Sequence, residues 1–439
     1  MRRLSLALQQ ESLEREVLNM TNIATNTVPQ TCKRYDSRIL GKNSLWSNDS
    51  RETGLNSNIL ILGTSGCGKT GSILYHNLKL LKEQSAVICD SKGLLYGKFK
   101  DQLTKKGYNV QMINLVDPSR STCGWNPVEY LTDLKGNISA KSVLKFAETL
   151  LPIRIDDREP VWMQGAQTIW SMLTSWCIEG FPEEDHNINA ILKLYHSFTT
   201  DAGMAALAKW SDENPDTICA TKYSEFKANL EATKMTASYF GFINGMCNSL
   251  SLPELNDIFG RKECIDLRSI GKTKTALFVV TPDTDHTMDA ISSLLYAQII
   301  QQNIMEADST EEGRVAVPIN LFLDDFANAT IPDFDMTISV TRSRDIGITV
   351  MIQSLSQLNS KYGKESANTI VNNMDTIVFL GNNDISTAEY IATRASKTTN
   401  SILCMDRRKE YILVSGEQAR LVDKLAPYSD QETYLEIGA

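Results

Sequence analysis

The chain is predicted to be a doubly wound α/β protein, and three features of the sequence point there. Short runs that are apolar throughout recur along it, stretches with helical spacing separate most of them, and the first run ends in a glycine-rich turn that opens a helix. Strands without polar alternation belong to parallel sheets covered on both faces. With 439 residues, the chain has room for about three domain-sized units or one large core with an insertion.

Taken in order, residues 1–57 form an N-terminal helix and lead-in. MRRLSLALQQESLEREV begins like a signal peptide, but its apolar stretch breaks at Gln9 and Gln10, and Glu11, Glu14 and Glu16 follow. It reads as an amphipathic helix packed on the main domain, with docking to a membrane surface or a partner as the alternative. The Asn- and Ser-rich stretch 42–58 is expected to be an exposed lead-in to the first core strand. The core opens at Asn58 with the strand NILILG, the turn TSGCGKT, the helical GSILYHNLKLLKEQ and a second strand, SAVICD, ending at Asp90. A third strand, NVQMINL, spans 109–115. From 126 to 271 strand-like runs vanish, and VWMQGAQTIWSMLTSW places Trp162, Ile169, Leu173 and Trp176 on one stripe, so this region is assigned as an all-helical inserted domain. Its tryptophans are read as core in preference to base-stacking platforms. Helices are expected at 188–198, 202–210 and 223–250. Strands resume at TALFVVT (275–281), VPINLFLDD (317–325), GITVMI (347–352) and DTIVFLG (375–381), with a clear helix over 290–302. The nucleotide-binding core thus comprises 58–125 and 272–439.

Composition removes several function classes. Lys plus Arg number 44 against 53 Asp plus Glu, a net charge of −9, so the chain does not coat nucleic acid by bulk charge and any DNA contact is local. Nine cysteines, none in CxxC spacing, exclude a zinc ribbon and a disulfide framework and fit a reducing compartment. No apolar run approaches the ~18 to 20 residues that span a bilayer.

GTSGCGKT, residues 63–70, satisfies GxxxxGK[ST] between a buried strand and a helix. Gly63, Gly66 and Gly68 let the loop, with Thr64 and Ser65, turn its N–H groups around phosphate oxygens at a helix N-terminus. Lys69 is placed to reach the β and γ phosphates and Thr70 to hold Mg²⁺. Cys67 is read as merely small, though a helix N-terminus would lower its thiol pKa. PINLFLDD delivers Asp324 and Asp325 where a strand emerges. Burying both costs energy unless a cation compensates, so Asp324 is assigned to the Mg²⁺ shell and Asp325 to polarising the attacking water; a solvated acidic pair is the alternative. In TRSRDIGITVMIQSLSQL, Arg344 suits a finger role, Arg342 lies beside it, and Gln353 at the strand end suits sensing of the γ phosphate.

These motifs, with VICDSKG, GWNPVEY, FLDDFAN followed by IPDFD, SVTRSRDIG, and IQSLSQL with NNMDTIVFLG, resemble those of the type IV secretion coupling proteins, the TraG/TraD-like conjugation ATPases. The likeness runs from Asn58 to Leu425. It implies a RecA-like P-loop core with a mainly parallel twisted sheet, a DNA-translocating ATPase that uses ATP and Mg²⁺, and a ring of six subunits when active, with a monomer possible in isolation. The helical insertion would face the secretion channel and the relaxase that carries DNA, expected to be single-stranded, on the cytoplasmic side of the membrane. By the same resemblance Lys69 and Thr70 match the phosphate-loop pair, Asp324 the metal-orienting aspartate, Arg344 a trans-acting arginine and Gln353 the strand-end sensor, while Asp90 matches an acidic position near the nucleotide. Two departures stand out. Asp325 occupies the place of the commoner Glu, which would slow intrinsic hydrolysis. The family's usual pair of transmembrane helices has no counterpart here, which leaves a member without an anchor, a chain whose anchor was removed, or one anchored through another subunit. Lys272 and Lys274 of the KTK stretch, with Lys361 and Lys364, are candidates for DNA contact. The alternative function is an ATP-binding recruiting adaptor with little hydrolysis.

Overall fold

The computed structural model describes residues 35–133, 135–153, 159–229, 233–282, 286–324, 326 and 330–431. The amphipathic helix expected at the N-terminus lies outside the described residues.

All seven runs read as strands are strands: β3 (Ile59–Leu62), β4 (Ser85–Cys89), β5 (Asn109–Asn114), β6 (Thr275–Val280), β7 (Ile319–Leu323), β8 (Ile346–Ile352) and β9 (Thr376–Phe379). They pair in parallel in the order β9-β3-β8-β7-β4-β6-β5. Two strands absent from the sequence reading, β10 (Lys409–Val414) and β11 (Arg420–Asp423), extend the β9 edge in antiparallel fashion. Period-two geometry divides each central strand between two cores. Leu60, Leu62, Val87, Leu277, Leu321 and Ile348 face one core. Ile59, Ile61, Ala86, Ile88, Phe278 and Met351 face the other, where Leu78, Phe99 and Leu103 from the helices Tyr75–Leu80 and Leu95–Lys105 cover them. Burial on both faces is why these strands carry no polar alternation.

Between β5 and β6 the chain is helical, with Ala140–Leu150, Val161–Gly180, Ile188–Phe198, Asp201–Glu213, Ile218–Asn229 and Thr233–Leu250 as the main elements. The stretch expected as helix around 223–250 falls in the last two, with 230–232 outside the described residues. Ile169 and Leu173 are fully buried, Trp176 is nearly so and Trp162 is half-buried, so the stripe is core. That core is continuous with the first face of the sheet through the helix Asp289–Ser309, which contributes Ile291, Leu295 and Ile299. No helix among the described residues is long and apolar enough to cross a membrane.

One expectation is corrected. The Asn- and Ser-rich lead-in is only partly exposed: β1 (Ser37–Ile39) and β2 (Leu45–Ser47) pair as a ribbon, and Ser44, Asn48 and Asn58 are buried, while Lys42, Asn43, Arg51 and Glu52 face solvent. Its polar side chains satisfy backbone groups that would otherwise be orphaned. The Asp36 carboxylate accepts the N–H groups of Lys82, Glu83 and Gln84 at 3.0 to 3.2 Å, and Asn58 Oδ1 accepts Ile348 N–H at 3.0 Å. A segment with few apolar residues is thus packed through hydrogen bonds.

Candidate functional site

The phosphate loop leaves the C-terminal end of β3 inside the sheet. Gly63 N–H donates to Ile352 O of β8 at 3.1 Å, and Thr64 N–H donates to Gly381 O beyond β9 at 3.2 Å, so the loop is anchored on both sides. Gly66 and Gly68 have φ of 76° and 108°, a region that L side chains rarely adopt, and a Cβ on Gly68 would lie 2.7 Å from Ser72 Oγ. The helix then starts with a π-helical turn, Lys69–Leu74, and continues as Tyr75–Leu80. The chain returns as β4 three places along the sheet from β3, past β8 and β7, so the loop opens at a switch point on the carboxyl ends of the strands, where ligands of open α/β sheets bind.

A hollow of about 570 Å³ lies over the loop, walled by Ser65, Gly68, Lys69, Thr70, Asp90 and Asp324 among others. Its size suits a small-molecule ligand, a class whose pockets span roughly 300–1,000 Å³. Lys69 is 7% exposed, and its ammonium donates to the loop's own carbonyls, Gly63 O at 2.8 Å and Thr64 O at 3.3 Å. Thr70 Oγ1 donates to Asp324 Oδ2 in a short contact, and Asp324, at the end of β7, is 4% exposed. Two groups 254 positions apart in sequence therefore meet at one point. The companion Asp325 lies outside the described residues.

Asp90 has a legible local task. Its carboxylate accepts N–H from Leu94 (3.1 Å), Leu95 (2.7 Å) and Tyr96 (3.1 Å), capping the helix Leu95–Lys105 and shaping the rim of the hollow. Burial raises its pKa, against the lowering effect of those hydrogen bonds. Cys67 corrects the expectation of a lowered thiol pKa: desolvation raises it, and this outweighs the nearby Lys69 and Lys424. No disulfide occurs among the described cysteines.

Gln353 stands exposed at the C-terminal end of β8, one residue past the carbonyl that anchors Gly63, but it does not wall the hollow. Arg344 is at the other end of the same strand. It donates to Asp308 through Nε at 2.7 Å and Nη2 at 3.0 Å, while Arg342 donates to Gly54 O at 2.7 Å. Lys272 pairs with Glu306 at 3.1 Å, and Lys274 donates to Lys82 O at 3.0 Å, so both are engaged within the chain.

Sequence reasoning missed three side chains at the site. Lys424, just past β11, donates to Cys67 O of the loop at 3.0 Å and to Leu380 O at 2.8 Å. Lys98 and Tyr428 line the hollow. None carries a motif, and strands β10 and β11, which bring Lys424 there, were themselves unread.

The residues present fit a magnesium-bound nucleoside triphosphate. No group of three or more His, Cys, Asp or Glu side chains able to hold a metal occurs among the described residues. Mg²⁺ at such sites takes one or two protein oxygens and completes its shell with phosphates and water, which is what one hydroxyl and one carboxylate offer.

A parallel sheet with a glycine-rich loop at its switch point defines the RecA-like P-loop class. Within that class the chain belongs to the type IV secretory system conjugative DNA transfer family, whose profile matches residues 8–403. Among solved structures it is similar to the bacterial conjugative coupling protein TrwBdeltaN70 in complex with sulphate (18% identity, 86% of each chain covered, TM-score 0.65). It is likewise similar to the plasmid coupling protein TrwB in complex with ADP and Mg²⁺ (17%, 86% of this chain and 87% of that one, TM-score 0.64). VirB4 of Thermoanaerobacter pseudethanolicus shares the fold more distantly (13%, 89% and 96%, TM-score 0.54). Curated protein sequences give no match.

Proposed function

We propose that this chain is a conjugation coupling ATPase that binds Mg-ATP, works as a ring of six subunits, recruits relaxase-bound DNA to the secretion channel and drives its transfer by hydrolysis. The observation that carries this reading is the meeting of Thr70 and Asp324 beside a buried Lys69 over the hollow. Family membership and the ADP and Mg²⁺ in TrwB support it.

Lys69 is preorganised, its ammonium held at the floor by carbonyls it can exchange for phosphate oxygens. Thr70 and Asp324 would hold the ion, which would neutralise charge on the terminal phosphates. Asp325 is assigned to orienting water and Gln353 to relaying the state of the γ phosphate along β8. Arg344 cannot serve its own site. The seven residues of β8 span roughly 23 Å at ~3.3 Å each, so it is offered to a neighbouring subunit. The region 126–271 is taken as the all-alpha domain facing the relaxase and channel, on the cytoplasmic side of the membrane.

The test is steady-state ATP hydrolysis across a protein-concentration series, with and without single-stranded and duplex DNA, beside Lys69→Ala. Specific activity that rises with concentration and with DNA, and is lost in the variant, supports the ring motor. ATP binding without turnover under every condition replaces it with the recruiting adaptor.

A further inference from the structure

The hollow over the phosphate loop has a wall that the phosphate machinery leaves unused: Leu94, Leu95 and Lys98 on one side, Pro427 and Tyr428 on the other. The second side comes from the segment after β11, beyond the stretch that the family profile matches. That segment is fastened to the loop and its helix along its length. Lys424 holds the loop carbonyl of Cys67, and Ala426 O lies 2.9 Å from His76 Nε2. Tyr428 N–H donates to Gly71 O at 3.1 Å, and the Tyr75 hydroxyl donates to Asp430 at 2.7 Å.

Tyr428 is the unusual member. Its φ is +55°, in the left-handed region that a bulky residue occupies only when its surroundings over-determine it. The ring lies so close to the loop helix that a Cβ on Gly71 would sit 2.8 Å from it, which explains a glycine in the second turn position after Lys69. Lys98 Nζ stands 4.9 Å from the Tyr428 ring centroid and 5.3 Å from that of Tyr75, within cation–π range of both. Even so, Tyr428 is 44% exposed, and Leu94 in the same hollow is 60% exposed. Two large apolar groups thus face solvent inside a cavity whose other end is built for phosphates.

We propose that Tyr428, with Leu94 in the same hollow, forms the nucleoside-binding wall, the ring taking the base of the bound nucleotide by stacking. This rests on the nucleotide-binding reading above. With the terminal phosphates drawn to Lys69 and Thr70, the nucleoside must lie along the remaining wall. There a flat ring held by a strained backbone offers a stacking face at little entropic cost, and such a face tolerates any base.

The test uses the full chain and two ligands that differ only in having a nucleoside: Mg-ATP and inorganic tripolyphosphate with Mg²⁺, each titrated calorimetrically. Tyr428→Leu, which keeps apolar bulk but removes the ring, is expected to weaken ATP by roughly 5- to 150-fold, the worth of one base–aromatic stack, and to leave tripolyphosphate within about twofold. Tyr428→Phe is expected to match the wild type. Leu94→Ser, at an exposed position where folding is not at stake, is expected to weaken ATP more than tripolyphosphate. ATP bound equally well by wild type and Tyr428→Leu, or a loss of both ligands alike in that variant, overturns the inference while the nucleotide reading stands. Failure of the wild type to bind ATP more tightly than Lys69→Ala overturns the nucleotide reading, and this inference with it.

Discussion

The two ends of β8 are built on opposite plans. At its C-terminal end everything is fixed before any ligand arrives: Ile352 O grips the phosphate loop, Lys69 is buried on loop carbonyls, and Thr70 touches a carboxylate almost closed to solvent. At its N-terminal end Arg342 and Ser343 are exposed, and Arg344, whose side chain is 21% exposed, is engaged with Asp308, whose side chain is 50% exposed. The pair is two-pointed but open to solvent on the Asp308 side, where ion pairs contribute up to about 1 kcal/mol. The rigid end therefore suits binding within one subunit, and the loosely held end suits an arginine that must change partners. The catalytic site divided between subunits that is proposed above would draw on both plans.

The sharpest way to break this comparison is Arg344→Ala. Loss of a trans-acting arginine costs about 10³-fold or more in turnover. ATP affinity should be unchanged, because the residue is remote from its own hollow. Mixing Arg344→Ala with Lys69→Ala chains should recover activity that neither has alone, since some interfaces then join an intact loop to an intact arginine. Turnover within tenfold of wild type in Arg344→Ala would end the divided-site reading.

Next in size is Lys69→Ala assayed for binding alone. A charge-assisted contact to phosphate is worth about 1.5–3 kcal/mol, so affinity for ATP should fall roughly 10- to 150-fold. Equal calorimetric affinity in the two proteins would show that the preorganised end is not a phosphate site.

The rigid end also holds an unfavourable charge. Glu410 on β10 is fully buried, and neither carboxylate oxygen has a hydrogen-bond partner. Desolvation pushes its pKa up to about 8, with Lys424 opposing. Between an unfolded value near 4.5 and that folded value, the folded chain keeps a proton that the unfolded chain has lost. Stability from this group is thus whole below pH ~4.5, is lost as pH rises toward about 8, and is level above it. Melting temperatures of Glu410→Gln and wild type should therefore diverge with rising pH, in favour of the variant. Parallel curves would mean that the carboxylate finds a partner in solution.

What the sequence showed follows the same division. The parallel strands, the loop with Lys69, and the meeting of Thr70 with Asp324 were legible because burial on both faces and phosphate chemistry leave strong local patterns. The edge strands β10 and β11 were not. Glu410 interrupts the apolar run of the first, and Arg420 to Asp423 is mostly exposed, so neither reads as a core strand. Lys424 and Tyr428 owe their place to those edges and so had no signal of their own. Asp90 was recognised without a task because its capping acts four to six residues downstream across a glycine turn.

The smallest expected effect tests the loose end directly. Asp308→Asn removes the charge that holds Arg344, and an exposed pair predicts a stability loss below about 1 kcal/mol, or a melting shift of roughly 2 °C or less. If breaking this pair precedes engagement of a neighbour, the variant reaches half-maximal specific activity at lower protein concentration, with the plateau unchanged. Moderate salt should mimic it in the wild type, because exposed charges are screened within ~8–10 Å near physiological ionic strength. A loss of several degrees without a shift in concentration dependence would instead make the pair a structural clamp, and Arg344 a residue of the fold.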